Sequence, residues 1–203
     1  KFGYFPPLRT YGDGVLSAKK RRDKDRVQMV WAGRMIDLKH PEYAVRLAGQ
    51  LLKKGHRFHI HMIGGGPLEG QLKDRIAQEG LSSFFTFYGF LTPERVRDVM
   101  EECRIFLFTS NYLEGWGSVL NEANAQTGAA PFLIADGKNG VTYWDGSYAD
   151  FAAKVEELLV RPDRAEAMGS AAYGTIAAEW NAQTAAQRCL DFYEGWKKGQ
   201  EAP

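Results

Sequence analysis

The chain of 203 residues has only two cysteines, no excess of charge of either sign and no long apolar run. Each shortage excludes a class of protein. Cys103 and Cys189 lie far apart and at no metal-ligand spacing, which argues against a disulfide framework or a zinc module and suits a reducing compartment. With 26 Lys plus Arg against 25 Asp plus Glu, there is no global electrostatic case for nucleic acid or for an anionic membrane as partner. No apolar stretch approaches the roughly 18 residues a spanning helix needs, and the N-terminus carries no apolar signal region, so a cytoplasmic protein is expected. The remaining composition, 44% hydrophobic and 25% charged, is that of one globular domain with a sizeable core.

Residues 1–26 show neither helical nor strand periodicity. Pro6, Pro7, Gly12 and Gly14 break the backbone, and the basic run from Lys19 to Arg26 is interleaved with Asp23 and Asp25. That pattern reads as a solvated connector rather than a nucleic-acid arm, and one folded module is expected over 27–203. From Val27 onward, short β-rich runs at 27–32, 58–63, 84–88, 105–109 and 131–134 alternate with amphipathic segments at 41–54, 68–79, 93–102 and 118–126. The alternation predicts an α/β fold: a Rossmann-like parallel sheet with helices on both faces. Thr92 followed by Pro93 reads as a helix start, and Gly55, Gly80 and Gly128 as helix stops. After Tyr143 only helices are expected, at 147–160, 162–180 and 182–198, with Leu190, Tyr193 and Trp196 in the last at a spacing that reads as core.

In such a sheet, chemistry belongs in the loops after the strands. Strand one leads into Gly33 and Arg34 and then Lys39. A small residue beside two cations suits a diphosphate, since Arg offers a planar fork and Lys a point charge; a surface salt bridge of Arg34 to Asp37 is the alternative. Strand two leads into Gly64, Gly65 and Gly66, either a tight turn or a phosphate contact. It is no dinucleotide fingerprint, because Glu69 stands where a third glycine would be required. Phe90 and Leu91 follow strand three, where backbone groups would face a planar base. Strand four leads into Glu114, Gly115, Trp116, Gly117, Ser118 and Val119, with Glu122 on the helix that follows. Glycines at a helix start make an anion site, and carboxylates accept from sugar hydroxyls. The alternative makes Glu122 a helix-dipole partner and Glu114 a surface charge. His56, His59 and His61 have no carboxylate or cysteine at ligand spacing, and no metal site is expected.

Taken together, Gly33-Arg34 with Lys39, the triple-glycine turn, Tyr88-Gly89-Phe90 and the pair Glu114 and Glu122 resemble the C-terminal domain of the group 1 glycosyltransferases, of the GT-B fold. The resemblance runs from Val27 to the C-terminus and is most specific between Ser110 and Pro131. It implies an enzyme that moves a sugar from a nucleoside diphosphate donor to an acceptor with retention of configuration, in polysaccharide or glycolipid synthesis, with no metal and no other cofactor. By the resemblance, Arg34 and Lys39 bind the diphosphate and Glu122 holds the ribose. Glu114 contacts the transferred sugar with backbone groups of Trp116 and Gly117, Ser118 and Val119 face phosphate, Gly33 and Gly65 line the donor site, and Phe90 and Leu91 face the base. Two features depart from the family. Ile134 meets Asp136 with roughly ten fewer residues than usual between them, and the N-terminal acceptor domain is not in the sequence, so the chain reads as the donor half of such an enzyme. A nucleotide-sugar epimerase or phosphorylase of the same fold, or a noncatalytic nucleotide-binding module, remains the alternative.

Overall fold

The computed structural model describes residues 25–111, 133–144 and 146–197. Its centre is a parallel sheet of four strands among the described residues, β1 (Val27–Ala32), β2 (Phe58–Ile63), β3 (Phe85–Gly89) and β4 (Ile105–Phe106), in the order β3-β2-β1-β4. Strands β1 and β2 pair along their whole length, from Val27 opposite Phe58 to Ala32 opposite Ile63. Both faces are covered, which is why Met29, Val30, Trp31 and Ala32 are consecutive buried residues rather than an alternating pattern.

On one face, Met29 and Trp31 of β1 and Phe58, Ile60 and Met62 of β2 form the main core with helix α1 (Glu42–Lys53) and helix α2 (Glu69–Gln78). Ala44, Leu47, Ala48 and Leu51 give α1 a buried stripe at helical spacing. Phe151 and Val155 of helix α4 (Tyr148–Val160) close this core. The second face is thinner: Val30, Ala32 and Ile63 meet Val99 and Cys103 at the end of helix α3 (Pro93–Glu102). The Rossmann-like α/β layering expected from the sequence is therefore present. Local signals hold as well. The Thr92 hydroxyl caps α3 by accepting from the Arg95 amide, with Pro93 in the first turn, and Gly55 and Gly80 turn the chain at positive φ after α1 and α2.

Two expectations need correction. The strand expected at 131–134 falls half outside the described residues, and Leu133 and Ile134, although buried, join no strand. Leu133 is helical instead, and a side chain meets the backbone around it. Asn139 accepts from the Ala135 amide and donates to the Leu133 carbonyl and the Thr175 hydroxyl, so these backbone groups are satisfied without a ladder. Leu133 and Ile134 instead pack with Phe108, Ile176 and Trp180 beside helix α5 (Pro162–Ala178). The other correction concerns helix α6 (Ala182–Lys197), which buries none of its residues: Leu190, Tyr193 and Trp196 are exposed rather than core. Among the described residues the main core is closed by α1, α2 and α4, and no residue of α6 takes part in it. Among the described residues no helix is long and apolar enough to cross a membrane.

The outer end of the thin face is polar. His59 bonds the Thr86 hydroxyl at 2.8 Å, and His61 bridges Gln28 Oε1 and the Tyr88 hydroxyl, each at 2.9 Å. The Gln28 amide group donates to the Arg26 carbonyl, leaving Oε1 to accept from His61 Nε2; in the neutral ring Nδ1 then accepts from the Tyr88 hydroxyl. Burial, then the neighbouring His59, lowers the His61 pKa to about 4, against a weaker opposing pull from Glu102. The unfolded chain takes up this proton near pH 6.5, so between about 6.5 and 4 it binds more protons than the folded one. Stability contributed by the neutral ring is fully present above pH 6.5 and is lost as pH falls through that window. Melting curves from pH 7 to 4 are expected to show a falling Tm, with a shallower fall in His61→Gln; an unchanged slope in the variant would refute the assignment. His59, shifted the same way, sustains the remaining slope.

Candidate functional site

The carboxyl ends of β1, β2 and β3 are stitched into one edge by backbone hydrogen bonds. Gly33 donates to Ile63 at 3.0 Å, Met35 to Gly65 at 2.9 Å, Gly64 to Gly89 at 2.7 Å and Leu68 to Met35 at 3.1 Å. Gly64 has φ +104°, and a Cβ there would stand 2.0 Å from the Gly33 carbonyl oxygen, so only glycine lets the two loops close on each other. A Cβ on Gly66 would likewise strike the Met35 backbone at 2.6 Å. Of the two readings of the triple-glycine turn, close packing of loops accounts for its first and third members. Gly65 is different: a Cβ on it would meet side chains, Glu69 and Phe90.

The loop after β1 is anchored by Met35, which is fully buried in the main core, while its neighbour Arg34 is exposed. A short 3-10 turn, Asp37–Lys39, then brings the chain back. The Lys39 stem lies across Gly33, with Cδ 3.0 Å from where a Cβ of that glycine would be. Gly33, Arg34 and Lys39 are thus together at one strand end, as the sequence predicted, and among the described residues Arg34 forms no ion pair with Asp37.

Lys39 is held there by a contact the sequence reading did not identify. The Trp31 indole N–H donates to the Thr109 hydroxyl at 2.8 Å, and that hydroxyl donates to the Lys39 carbonyl at 2.5 Å. Trp31 and Thr109 are both 2% exposed. A tryptophan inside a core strand must find an acceptor for its N–H, which was the available signal. Two positions on, the Asn111 backbone amide donates to the Leu38 carbonyl at 3.1 Å. His40 holds the turn in a left-handed conformation (φ 43°, ψ 51°), with Nδ1 2.9 Å from Glu42 Oε1. Nothing in the local sequence signals that conformation, which usually falls to glycine or asparagine.

Phe90 is 78% exposed, whereas Leu91 packs against the thin-face cluster. Glu114, Trp116, Gly117, Ser118, Val119 and Glu122 lie outside the described residues. The structure therefore assembles Gly33, Arg34, Lys39, Gly65 and Phe90 along one strand edge, with Thr109 and Asn111 bonded to the loop after β1. Thr109→Val keeps the shape of the side chain but leaves a buried indole donor without an acceptor. The expected cost is roughly 1–3 kcal/mol, a Tm loss of about 2–4 °C per kcal/mol for a chain of this size. Thermal melts of the variant beside Thr109→Ser, which keeps the hydroxyl and stays closer to wild type, test this; equal losses in the two would refute it.

The family model for glycosyl transferases group 1 matches residues 15–175. The GDP-mannose-dependent alpha-(1-6)-phosphatidylinositol monomannoside mannosyltransferase of Mycobacterium tuberculosis is 26% identical over 191 residues, covering 87% of this chain and 50% of the relative. The chain spans about half the length, or less, of the curated relatives it matches. Among solved structures, S. aureus TarM in complex with Fondaparinux, alpha-GlcNAc-glycerol and UDP superposes with a TM-score of 0.75 at 19% identity, over 92% of this chain and 38% of that one. The C-terminal domain of LpcC from Francisella tularensis, a glycosyl transferase group 1 family protein, superposes with a TM-score of 0.71 at 20% identity, over 84% of this chain and 95% of that domain. These two likenesses speak to the fold. The family model covers most of the sequence, and on that ground the chain belongs to the group 1 glycosyltransferases.

Proposed function

We propose that this edge binds a nucleoside diphosphate sugar and that the chain is the donor-binding half of a retaining glycosyltransferase. The observation that carries the reading is the return of the Lys39 side chain across Gly33, which sets two cations, Arg34 and Lys39, at one strand end. A departing nucleoside diphosphate gains negative charge as the glycosidic bond breaks, and cations already fixed in place stabilise that charge without reorganising. Relatives whose printed names include a GDP-mannose-dependent mannosyltransferase, and a structural neighbour in complex with UDP, support a nucleotide sugar as the ligand.

On this reading Arg34 and Lys39 take the diphosphate and need no metal to do so. Glu122 holds the ribose diol and Glu114 the transferred sugar, with backbone groups of Trp116, Gly117, Ser118 and Val119 on sugar and phosphate; Phe90 and Leu91 face the base. Residues 1–26 connect to an acceptor-binding domain of the same enzyme. The reaction belongs to polysaccharide or glycolipid synthesis in the cytoplasm, at the inner membrane face where the acceptor is lipid-linked. The isolated chain binds donor without transferring sugar.

Calorimetry with GDP, UDP and their sugars is the direct test. Arg34→Ala is expected to weaken nucleoside diphosphate binding by about 10-fold or more, as loss of charge-assisted hydrogen bonds costs on the order of 1.5–3 kcal/mol. Glu122→Ala is expected to weaken it comparably, without affecting inorganic pyrophosphate. Gly33→Ala, whose Cβ displaces the Lys39 stem, should lower affinity for every diphosphate with little change in Tm. Binding that is absent, or indifferent to all three substitutions, would sink the reading.

A further inference from the structure

Beyond the cations and the backbone groups of Phe90 and Leu91, two side chains at the same edge have no role in the reading so far. Phe90 carries its ring almost wholly in water, yet the ring rests on Gly65, with Cε2 3.2 Å and Cζ 3.6 Å from where a Cβ of that glycine would be. Glu69 Oε2 stands 2.9 Å from the same point. A flat apolar surface and a carboxylate oxygen therefore converge over one glycine, and a Cβ at 65 would push them apart. The carboxylate does not swing freely. Its Oε1 is 2.6 Å from Lys73 Nζ, and that ammonium lies 5.0 Å from the Phe87 ring centroid. Oε2 is thereby turned toward Gly65 and the Phe90 ring.

Resting on the nucleotide-sugar reading above, we propose that this pair selects the base of the donor, and that the base is guanine: Phe90 stacks on its face and Glu69 takes its Watson–Crick edge. The chemistry of the bases decides between them. An ionised carboxylate only accepts hydrogen bonds. Guanine alone presents two adjacent donors, N1–H and the 2-amino group, on that edge. Uracil offers a single N3–H flanked by two carbonyl oxygens, which a carboxylate repels. Adenine and cytosine each pair one amino donor with a ring-nitrogen acceptor. Stacking on an aromatic ring serves every base alike, so Phe90 supplies affinity and Glu69 the discrimination. Lys73 holds Glu69 in place and acts as a positioning residue.

The test is competition calorimetry on the 203-residue chain with GDP, IDP, UDP and ADP. GDP is expected to bind on the order of 10- to 100-fold more tightly than UDP, the span of one bidentate side-chain contact to a base edge. IDP, which lacks the 2-amino group, should fall between them. Glu69→Gln and Glu69→Ala should remove the preference by weakening GDP while leaving UDP unchanged or tighter. Phe90→Ala should weaken all four by a similar factor. UDP binding as tightly as GDP, or a preference that survives both Glu69 substitutions, would overturn the assignment while leaving the diphosphate site standing. Absence of binding by any of the four would overturn both. Because Glu69 is a half-buried residue of the first turn of α2 that belongs to no core cluster, Tm of the variants serves as the folding control.

Discussion

One buried hydroxyl ties the carboxyl ends of β1 and β4 to the loop that follows β1. Thr109 takes the indole hydrogen of Trp31 and gives its own to the Lys39 carbonyl, residues 78 and 70 positions away in the chain. That single oxygen fixes where β4 exits, how the loop after β1 turns back, and therefore where the Lys39 ammonium can reach. It also explains why β4 is short. The chain past Phe106 continues to bond β1 only through the Leu107 amide to Val30, after which Thr109 and Asn111 engage the returning loop instead of a strand. Giving up ladder bonds there builds the site, and the backbone groups involved are satisfied from the loop.

The alternation of elements was legible because parallel strands buried on both faces read as plain apolar runs, and because caps and stops sit at chain positions that leave little choice. Thr92 with Pro93 and the two glycines after α1 and α2 are of this kind. The return of Lys39 to Gly33 was legible for a related reason: only six residues separate the end of β1 from the lysine, and Met35 among them is anchored in the core. What escaped was decided at long range. Whether Leu133 extends a strand depends on what Asn139 does six residues later, and apolar runs are equally compatible with both outcomes. The aromatic spacing of α6 says that the helix has an apolar face, not that anything is left to cover. His40 in a left-handed turn escaped as well, because no local rule assigns that conformation to histidine.

The two faces of the sheet divide the labour. The main core buries large side chains from β1, β2, α1 and α4 and sets the architecture. The thin face tolerates Gln28, His59, His61, Thr86 and Tyr88, whose polar atoms satisfy one another. Such a network constrains strand register, since a one-residue slip would bring these groups into the main core. The same strands then deliver glycines at their carboxyl ends, so the register set by the polar face is what brings Gly33, Gly64 and Gly89 into contact at the ligand edge.

Charge placement gives the site its character in a chain whose overall charge is only +1. Arg34 is exposed and Lys39 half-buried, so water screens both, and at the dielectric of a protein surface a charge pair at contact distance is worth only a few kcal/mol. That strength suits holding a diphosphate reversibly. Stabilising the charge of a bond in the act of breaking requires more, and the physical route to it is exclusion of water from the same cations. On the proposed reading, binding and chemistry are separable for this reason: the edge described here supplies the preplaced cations and the base-selecting pair, and their full electrostatic strength develops only where a second surface closes over them.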